Sequence, residues 1–152
     1  MERVRTFDEI VHGSHAMNIQ LPKKYRRRSR DWDIYASNPY REMDEMEDIL
    51  DECIGCDAFH ENVLSMYDPY MGHKYVYQVV GPWGEVVDYT IPPSNVKTKR
   101  IRGIRYEDLM YKYQKLKMIL HNPYISEERR RKTLSDLRRI ERYLRSKRRK
   151  HR

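Results

Sequence analysis

The sequence has no long apolar run and very little cysteine or phenylalanine. No apolar run approaches the roughly 20 residues that a transmembrane helix needs, so we expect no membrane contact. The two cysteines, Cys53 and Cys56, are too few and too close together for a disulfide framework, which favours a reducing, intracellular and cytoplasmic setting. The N-terminal segment MERVRTFDEI is charged throughout, and we therefore expect no signal peptide.

What the sequence does contain is enough for one domain, with an uneven distribution of charge. Its 152 residues are 39% apolar and 36% charged, which indicates a globular domain with a real core and a heavily solvated surface. Residues 127–152 hold thirteen Lys and Arg and four acids, a net charge of +9, whereas the whole chain carries +8. Such a block is typical of a solvated helix or a polyanion-binding arm. We therefore divide the chain into a domain at 1–144 and a basic tail at 145–152, which we expect to be frayed and disordered.

Helical and strand patterns are mixed in the first two thirds of the chain, and helices end it. Helical spacing predicts a short helix over 14–21 capped by Ser14, an amphipathic helix within 38–56 that ends at Gly55, a helix over 106–121 and a last helix from Ser126 onward. Alternation predicts strands at 31–36, 62–67, 74–80 and 85–91, a hairpin turn at GPWG and a loop over 94–105. We expect an α/β (α+β) fold with a small mixed sheet flanked by helices and a C-terminal helical pair.

The pair Cys53-x-x-Cys56, with His60 close behind, has part of the composition of a zinc site. A structural zinc site needs four ligands with suitable spacing, and only His73 remains nearby. We therefore interpret the two cysteines as buried or half-buried thiols rather than as metal ligands.

Three aspartates fall on predicted strands. Asp31 and Asp33 are two residues apart in DWDIYA, so both carboxylates project from one face of the strand. Carboxylates held that close repel each other unless a cation lies between them, and Mg²⁺ is a suitable hard cation that keeps positions open for phosphate oxygens. Asp88 lies inside the apolar run VVDYTI, where an aspartate is unfavourable without a specific reason. Three carboxylates on one sheet predict a two-metal site for phosphoryl transfer, with Mg²⁺ or Mn²⁺ as its cofactor.

A glycine-serine pair, Gly13-Ser14, precedes the first predicted helix of the domain. A glycine at that position lets phosphate oxygens approach the backbone amides, and the serine hydroxyl adds one donor. The pair alone is a weak signal. The order of the pair, the D-x-D and a later single aspartate is a much stronger one.

These motifs together resemble the DNA polymerase β-type nucleotidyltransferase superfamily, in particular its small single-domain members related to abortive-infection and toxin nucleotidyltransferases. The similarity covers about residues 8 to 141. It rests on VHGSHAMNI, on R-x-S-x-DWDI with Arg27, Ser29, Asp31 and Asp33, on Asp88 in EVVDYTI, and on the helices GIRYEDLMYKYQKL and RRKTLSDLRRI.

The resemblance implies a role for each motif residue. Gly13 and Ser14 would hold the triphosphate, and Arg27 and Ser29 would belong to the same nucleotide site. Asp31 and Asp33 would bind both metals, and Asp88 would complete the metal site and help to activate the acceptor hydroxyl. Lys112 would neutralise nucleotide phosphate, although Lys115 is an alternative because the register of that helix is not fixed by sequence.

The expected activity is transfer of a nucleoside monophosphate from an NTP to a hydroxyl acceptor. The basic tail makes an RNA end the favoured acceptor, with a protein side chain or a small molecule as alternatives. The tail residues expected to contact nucleic acid are Arg145, Lys147, Arg148, Arg149 and Lys150. Two other interpretations stay open: an inactive nucleotidyltransferase-like scaffold in a viral or ribonucleoprotein assembly, and a basic nucleic-acid-binding protein whose acids are incidental.

Overall fold

A mixed seven-stranded sheet with helices on its faces organises residues 1–150, the part of the chain that the computed structural model describes. The helices are α1 Glu2–Thr6, α2 Gly13–Ile19, α3 Pro39–Ile54, α4 Leu109–Leu120 and α5 Glu127–Lys150, with a 3-10 turn at Lys23–Tyr25. The strands are β1 Ile10–His12, β2 Trp32–Tyr35, β3 His60–Asp68, β4 Gly72–Gly81, β5 Gly84–Thr90, β6 Thr98–Ile101 and β7 Ile104–Glu107. The predicted α/β class is confirmed, and α4 and α5 form the C-terminal helical pair.

The strand order is β3-β4-β5-β2-β1-β7-β6. Pairing is parallel between β2 and β5 and between β1 and β7, and antiparallel between all other neighbours. The parallel pairs place β2, the strand of the D-x-D, beside β5, the strand of Asp88, in the middle of the sheet.

Local capping chemistry determines where the two middle helices begin and end. The Asn38 side chain accepts a hydrogen bond from the Arg41 amide at the start of α3, and Gly55, with φ +83°, ends that helix in the left-handed region. The Asp108 carboxylate accepts from the amides of Met110 and Tyr111 at the start of α4. The helix predicted from residue 106 therefore starts later, because Ile104–Glu107 pairs with β1 as β7.

Two apolar clusters lie on either side of the sheet. One packs α3 against the sheet through residues such as Met43, Val79 and Tyr89. The other joins α2, α4 and α5 through Met17, Leu116 and Ile140 and their neighbours. The polar face of the sheet, with the aspartates, is the face turned towards α4 and α5.

The segment predicted as a loop at 94–105 contains most of a β-hairpin. Strands β6 and β7 pair from Thr98↔Glu107 to Ile101↔Ile104. The two turn residues, Arg102 and Gly103, have φ values of +52° and +81°, as a type I′ turn requires at both central positions. Arginine is an unusual residue at the first of these positions, which is why the turn was missed.

Two further expectations were wrong. Cys53 and Cys56 are exposed rather than buried, because they lie at the solvent-facing C-terminal end of α3.

The tail was expected to be disordered, but α5 continues to Lys150. Arg and Lys are good helix formers, and cations are favourable at a helix C-terminus, so charge alone does not end this helix. His151 and Arg152 lie outside the described residues. No helix within residues 1–150 is long and apolar enough to cross a membrane.

A buried carboxyl far from the D-x-D gives the fold a pH dependence of its own. Burial, and after it the negative charge of Glu42, raises the pKa of Glu9 from 4.5 to about 8. The folded protein thus holds a proton that the unfolded chain releases, and this group's contribution to stability falls as pH rises from about 4.5 to about 8. We expect Glu9→Gln to melt at a higher temperature than wild type at pH 8, with little difference at pH 4.5. The exposed Glu128→Gln should follow wild type at both pH values, and a Glu9→Gln profile parallel to wild type would contradict the assignment.

Candidate active site

A row of polar side chains crosses the face of the sheet that turns towards α4 and α5. Asp33 and Asp88, which are 55 positions apart, are paired residues on the adjacent parallel strands β2 and β5. On the next strand Gln78 pairs with Asp88 and donates a hydrogen bond to its Oδ1 at 3.1 Å. Asn62 in turn donates to the Gln78 Oε1 atom at 3.0 Å. The amide pair therefore holds the Asp88 carboxylate in one orientation beside Asp33.

A fourth carboxylate, Glu85, joins this group, and the sequence analysis missed it. Oxygens of Asp31, Glu85 and Asp88 lie within 4.8 Å of one another. Strict alternation would place Glu85 on the opposite face from Asp88. A β-bulge changes this, because Val79 pairs with Val87 whereas Val80 pairs with Glu85, which leaves Val86 as the extra residue. A glutamate at the start of the Asp88 strand, next to a glycine turn, was the available signal.

The electrostatics of the group are those of partly buried carboxylates close to one another. Burial, and after it the charge of Asp31, raises the pKa of Asp33 to about 6. Burial, and after it the charge of Asp33, raises the pKa of Asp88 to about 7. Carboxylate oxygens at this spacing are the donors that a hard divalent cation prefers, and a cation would remove the repulsion. The donor set therefore fits Mg²⁺ or Mn²⁺.

Gly13 lies against the same carboxylates at the junction of β1 and α2. Its φ is +70°, and a Cβ there would collide with the Asp33 carboxylate, 2.9 Å from its Cγ. The glycine is thus required because Asp33 lies against its backbone, whether or not a phosphate also binds there. The helix begins at Gly13 with His12 as its N-cap, so the prediction that Ser14 caps it was wrong. Ser14 is instead buried in the first turn, and its hydroxyl is hydrogen-bonded to the hydroxyl of Ser29.

Arg27 lies in the loop before β2 and connects that loop to the last helix, α5. Its guanidinium makes two hydrogen bonds to Asp136 of α5, Nε to Oδ1 at 2.7 Å and a terminal nitrogen to Oδ2 at 3.2 Å. A bidentate pair of this kind fixes both partners. It brings the loop that carries Ser29 against α5, on the same side of the sheet as the carboxylates.

The two candidate lysines of α4 have different surroundings. Lys115 forms an ion pair with the fully buried Glu107 at 2.5 Å. Lys112 is buried as well, and it forms no ion pair within residues 1–150. Burial lowers its pKa, and the nearby negative charge of Glu107 opposes that shift. Lys112 is thus the lysine whose ammonium group is available to a ligand.

This difference predicts opposite phenotypes for two matched substitutions. Lys115→Met leaves the Glu107 charge buried without its partner, and we expect urea unfolding to show a loss of about 3–5 kcal/mol. Lys112→Met removes no ion pair, so we expect near wild-type unfolding but NTP binding weaker by about 1.5–3 kcal/mol in calorimetry. A stable Lys115→Met protein with the larger binding defect would reverse the assignment.

A cleft of about 970 Å³ opens between the sheet and the α4–α5 pair. Its walls include Gly13, Ser14, Arg27, Ser29, Asp31, Asp33 and Lys112, which are seven of the predicted site residues, and also Lys115. Its size is at the upper end of the range for small-ligand sites, about 300–1,000 Å³. Asp88 is not on the cleft wall but lies next to Asp33. The predicted nucleic-acid contacts of the tail, from Arg145 to Lys150, are not on the cleft wall.

Comparison with known proteins finds similarity in the fold. No family model matches the sequence, and no curated protein matches it. The fold is similar to that in the crystal structure of the Megavirus polyadenylate synthase, with a TM-score of 0.64 and 20% sequence identity. The match covers 94% of this chain and 30% of that one. At this identity the similarity concerns the fold alone.

Proposed function

We propose that the protein is a metal-dependent nucleotidyltransferase that transfers a nucleoside monophosphate from an NTP to a hydroxyl acceptor, with an RNA end as the favoured acceptor. The observation that carries the proposal is the pairing of Asp33 with Asp88 across two parallel strands, with Asp31 and Glu85 against them. Partly buried carboxylates held this close together repel one another, which is costly for a protein that has no use for them. The polyadenylate synthase whose fold this chain shares supports the same class of reaction.

The metal would be held by Asp31, Asp33 and Asp88, with Glu85 as an additional ligand or as a group that orients bound water. When bound, Mg²⁺ or Mn²⁺ would neutralise charge on the phosphate oxygens and lower the barrier to in-line displacement. The role of Glu85 goes beyond the ligand set implied by the sequence resemblance.

The remaining residues of the cleft bind and orient the NTP. The ammonium group of Lys112 faces the charge of the triphosphate, and the Ser14 hydroxyl and the first amides of α2 donate to its oxygens. The acceptor oxygen forms a bond to the α-phosphorus, the bond from that phosphorus to the bridging oxygen breaks, and pyrophosphate leaves. The acceptor hydroxyl proton passes to the Asp88 carboxylate, which Gln78 keeps in position.

The direct test is incubation with each α-³²P-labelled NTP, Mg²⁺ and an RNA oligomer, a protein extract or small-molecule alcohols as acceptors. We expect label to be transferred to RNA and an equal amount of pyrophosphate to be released. The Asp33→Asn protein is the negative control. Absence of transfer to all acceptors, together with no NTP-dependent rise in melting temperature, would reject the proposal and favour an inactive scaffold.

A further inference from the structure

One face of α5 carries a continuous row of arginines. With 3.6 residues per turn, Arg131, Arg138, Arg142, Arg145 and Arg149 all fall within an arc of about 80°, which Ser135 and, one turn before Arg131, Glu127 share. The row, called here the arginine stripe, extends about 27 Å at 1.5 Å per residue. All its members are exposed, and the other three acids of α5, Glu128, Asp136 and Glu141, lie outside the arc.

The arginines of the stripe have no partner within residues 1–150, whereas neighbouring arginines do. Arg139 donates to the carbonyl oxygens of Tyr25 and Arg26, and Arg130 donates to that of Leu120. No ion pair or side-chain hydrogen bond of the described chain involves the five guanidinium groups of the stripe. Clustered like charges that stabilise nothing inside the fold are available to an external polyanion.

The stripe leads out of the cleft described above. Arg131 and Ser135 lie on the cleft wall, and the same two residues line a second groove with Arg138 and Arg142. A chain of phosphates lying on the stripe would therefore end at the cleft, whose wall also includes Asp31 and Asp33. The groove is also lined by Leu134, which offers an apolar contact beside the guanidinium groups.

We propose that the arginine stripe is the docking surface for the phosphate backbone of a single-stranded polynucleotide, whose terminal hydroxyl enters the cleft as the acceptor. This inference rests on the proposed nucleotidyl transfer and adds where the acceptor strand lies. Arginine forms bidentate contacts with phosphate, and a run of phosphates matches a straight row of such groups. The five predicted nucleic-acid contacts thus divide: Arg145 and Arg149 belong to the stripe, whereas Lys147, Arg148 and Lys150 project elsewhere.

That division provides a matched control on the same helix. The stripe variant is Arg138→Gln/Arg142→Gln/Arg145→Gln, and the control variant is Lys147→Gln/Arg148→Gln/Lys150→Gln. Both remove three exposed cations from α5 and lower the net charge equally. Circular dichroism should show both variants folded, and Arg138→Lys/Arg142→Lys/Arg145→Lys, which keeps the charge, serves as a second stripe variant.

Binding of a fluorescent oligouridylate 20-mer is measured by anisotropy from 50 to 200 mM salt, without NTP. Each lost phosphate contact reduces the slope of log K against log salt by about 0.7, so the stripe variant should lose about 2 units. The control variant should lose less than 1, and the lysine variant should keep most of the slope. Equal losses in the stripe and control variants, or no loss in either, would overturn the inference.

Further measurements distinguish this inference from the proposed function and from binding of other polyanions. Transfer to a dinucleotide, which cannot reach the stripe, should be unchanged in the stripe variant, while the KM for the 20-mer rises. If wild type binds the 20-mer through the stripe but transfers nothing, the proposed function fails and the docking surface stands. If the stripe variant loses affinity only for duplex RNA, or only for vesicles of phosphatidylserine, the single-stranded assignment is wrong.

Discussion

Asp33→Asn and Asp88→Asn proteins should be inactive and yet, without metal, at least as stable as wild type. The activity loss should exceed about a hundredfold, because even the groups that only orient metal ligands contribute 10–100-fold. The stability of the metal-free protein should instead rise or stay unchanged. The reason is that burial and mutual repulsion raise the pKa of Asp33 to about 6 and that of Asp88 to about 7. Neutralising one carboxylate relieves that repulsion.

The same pKa values set the pH window of the effect. The ordinary pKa of both groups is 3.8, so the folded protein retains protons that the unfolded chain loses above about pH 4. The metal-free protein should therefore lose stability between about pH 4 and pH 7 on account of these groups, and each Asn variant should lose less. Melting temperatures in EDTA across this range give the comparison.

Mg²⁺ and NTP together should reverse the order, since wild type gains binding energy that the variants cannot gain. Asp136→Asn is the matched control, because Asp136 is a structural aspartate bound to Arg27. It should destabilise the metal-free protein and show no reversal. If Asp88→Asn keeps full activity while Asp33→Asn is inactive, Asp88 is not part of the metal site.

Gly13→Ala should be the most damaging single-methyl change in the chain. The positive φ alone costs a non-glycine residue about 1–2 kcal/mol, and the collision with the Asp33 carboxylate adds a term of the overpacking kind, about 1–3 kcal/mol. Activity should fall with stability, because Asp33 can no longer occupy its position beside Asp88. Gly13→Val should be worse, since its branched side chain is larger.

Gly55→Ala separates the two contributions. Its φ of +83° is close to the +70° of Gly13, but a Cβ there would meet nothing within 4 Å. Chemical denaturation should therefore show the conformational cost alone for Gly55→Ala, with activity unchanged. Equal destabilisation of the two variants would mean that Asp33 moves away at no cost, which contradicts the close approach seen here.

The parts of this fold that local side-chain chemistry determines could be predicted from the sequence. Alternation in DWDIYA and VVDYTI indicated the strands of Asp33 and Asp88, and Gly55 marked the end of α3 correctly. These features depend on side-chain periodicity and on one glycine with a left-handed backbone conformation, and both can be predicted directly from the sequence. The family resemblance implied that Asp88 completes one site with the D-x-D, and their strands, β2 and β5, are paired neighbours in the sheet.

The parts that were missed depend on pairing between distant segments. The bulge at Val86, which turns Glu85 towards Asp88, exists only because β4 pairs with β5. The choice between Lys112 and Lys115 depends on Glu107, whose position is set when β7 pairs with β1. Residues three apart on a helix share a face, so spacing alone cannot separate them.

The pairing of β2 with β5 also affects how the molecule forms. The hairpins of β3, β4 and β5 close over short loops, whereas β2 must find β5 across 55 residues, and β1 must find β7 across 95. Contacts of such sequence separation are the slow ones in folding. In a partly folded chain the Asp31–Asp33 pair is therefore still separated from Glu85 and Asp88. Only the finished fold brings all these carboxylates together. A divalent ion held by all of them would therefore bind late in folding and stabilise the completed structure.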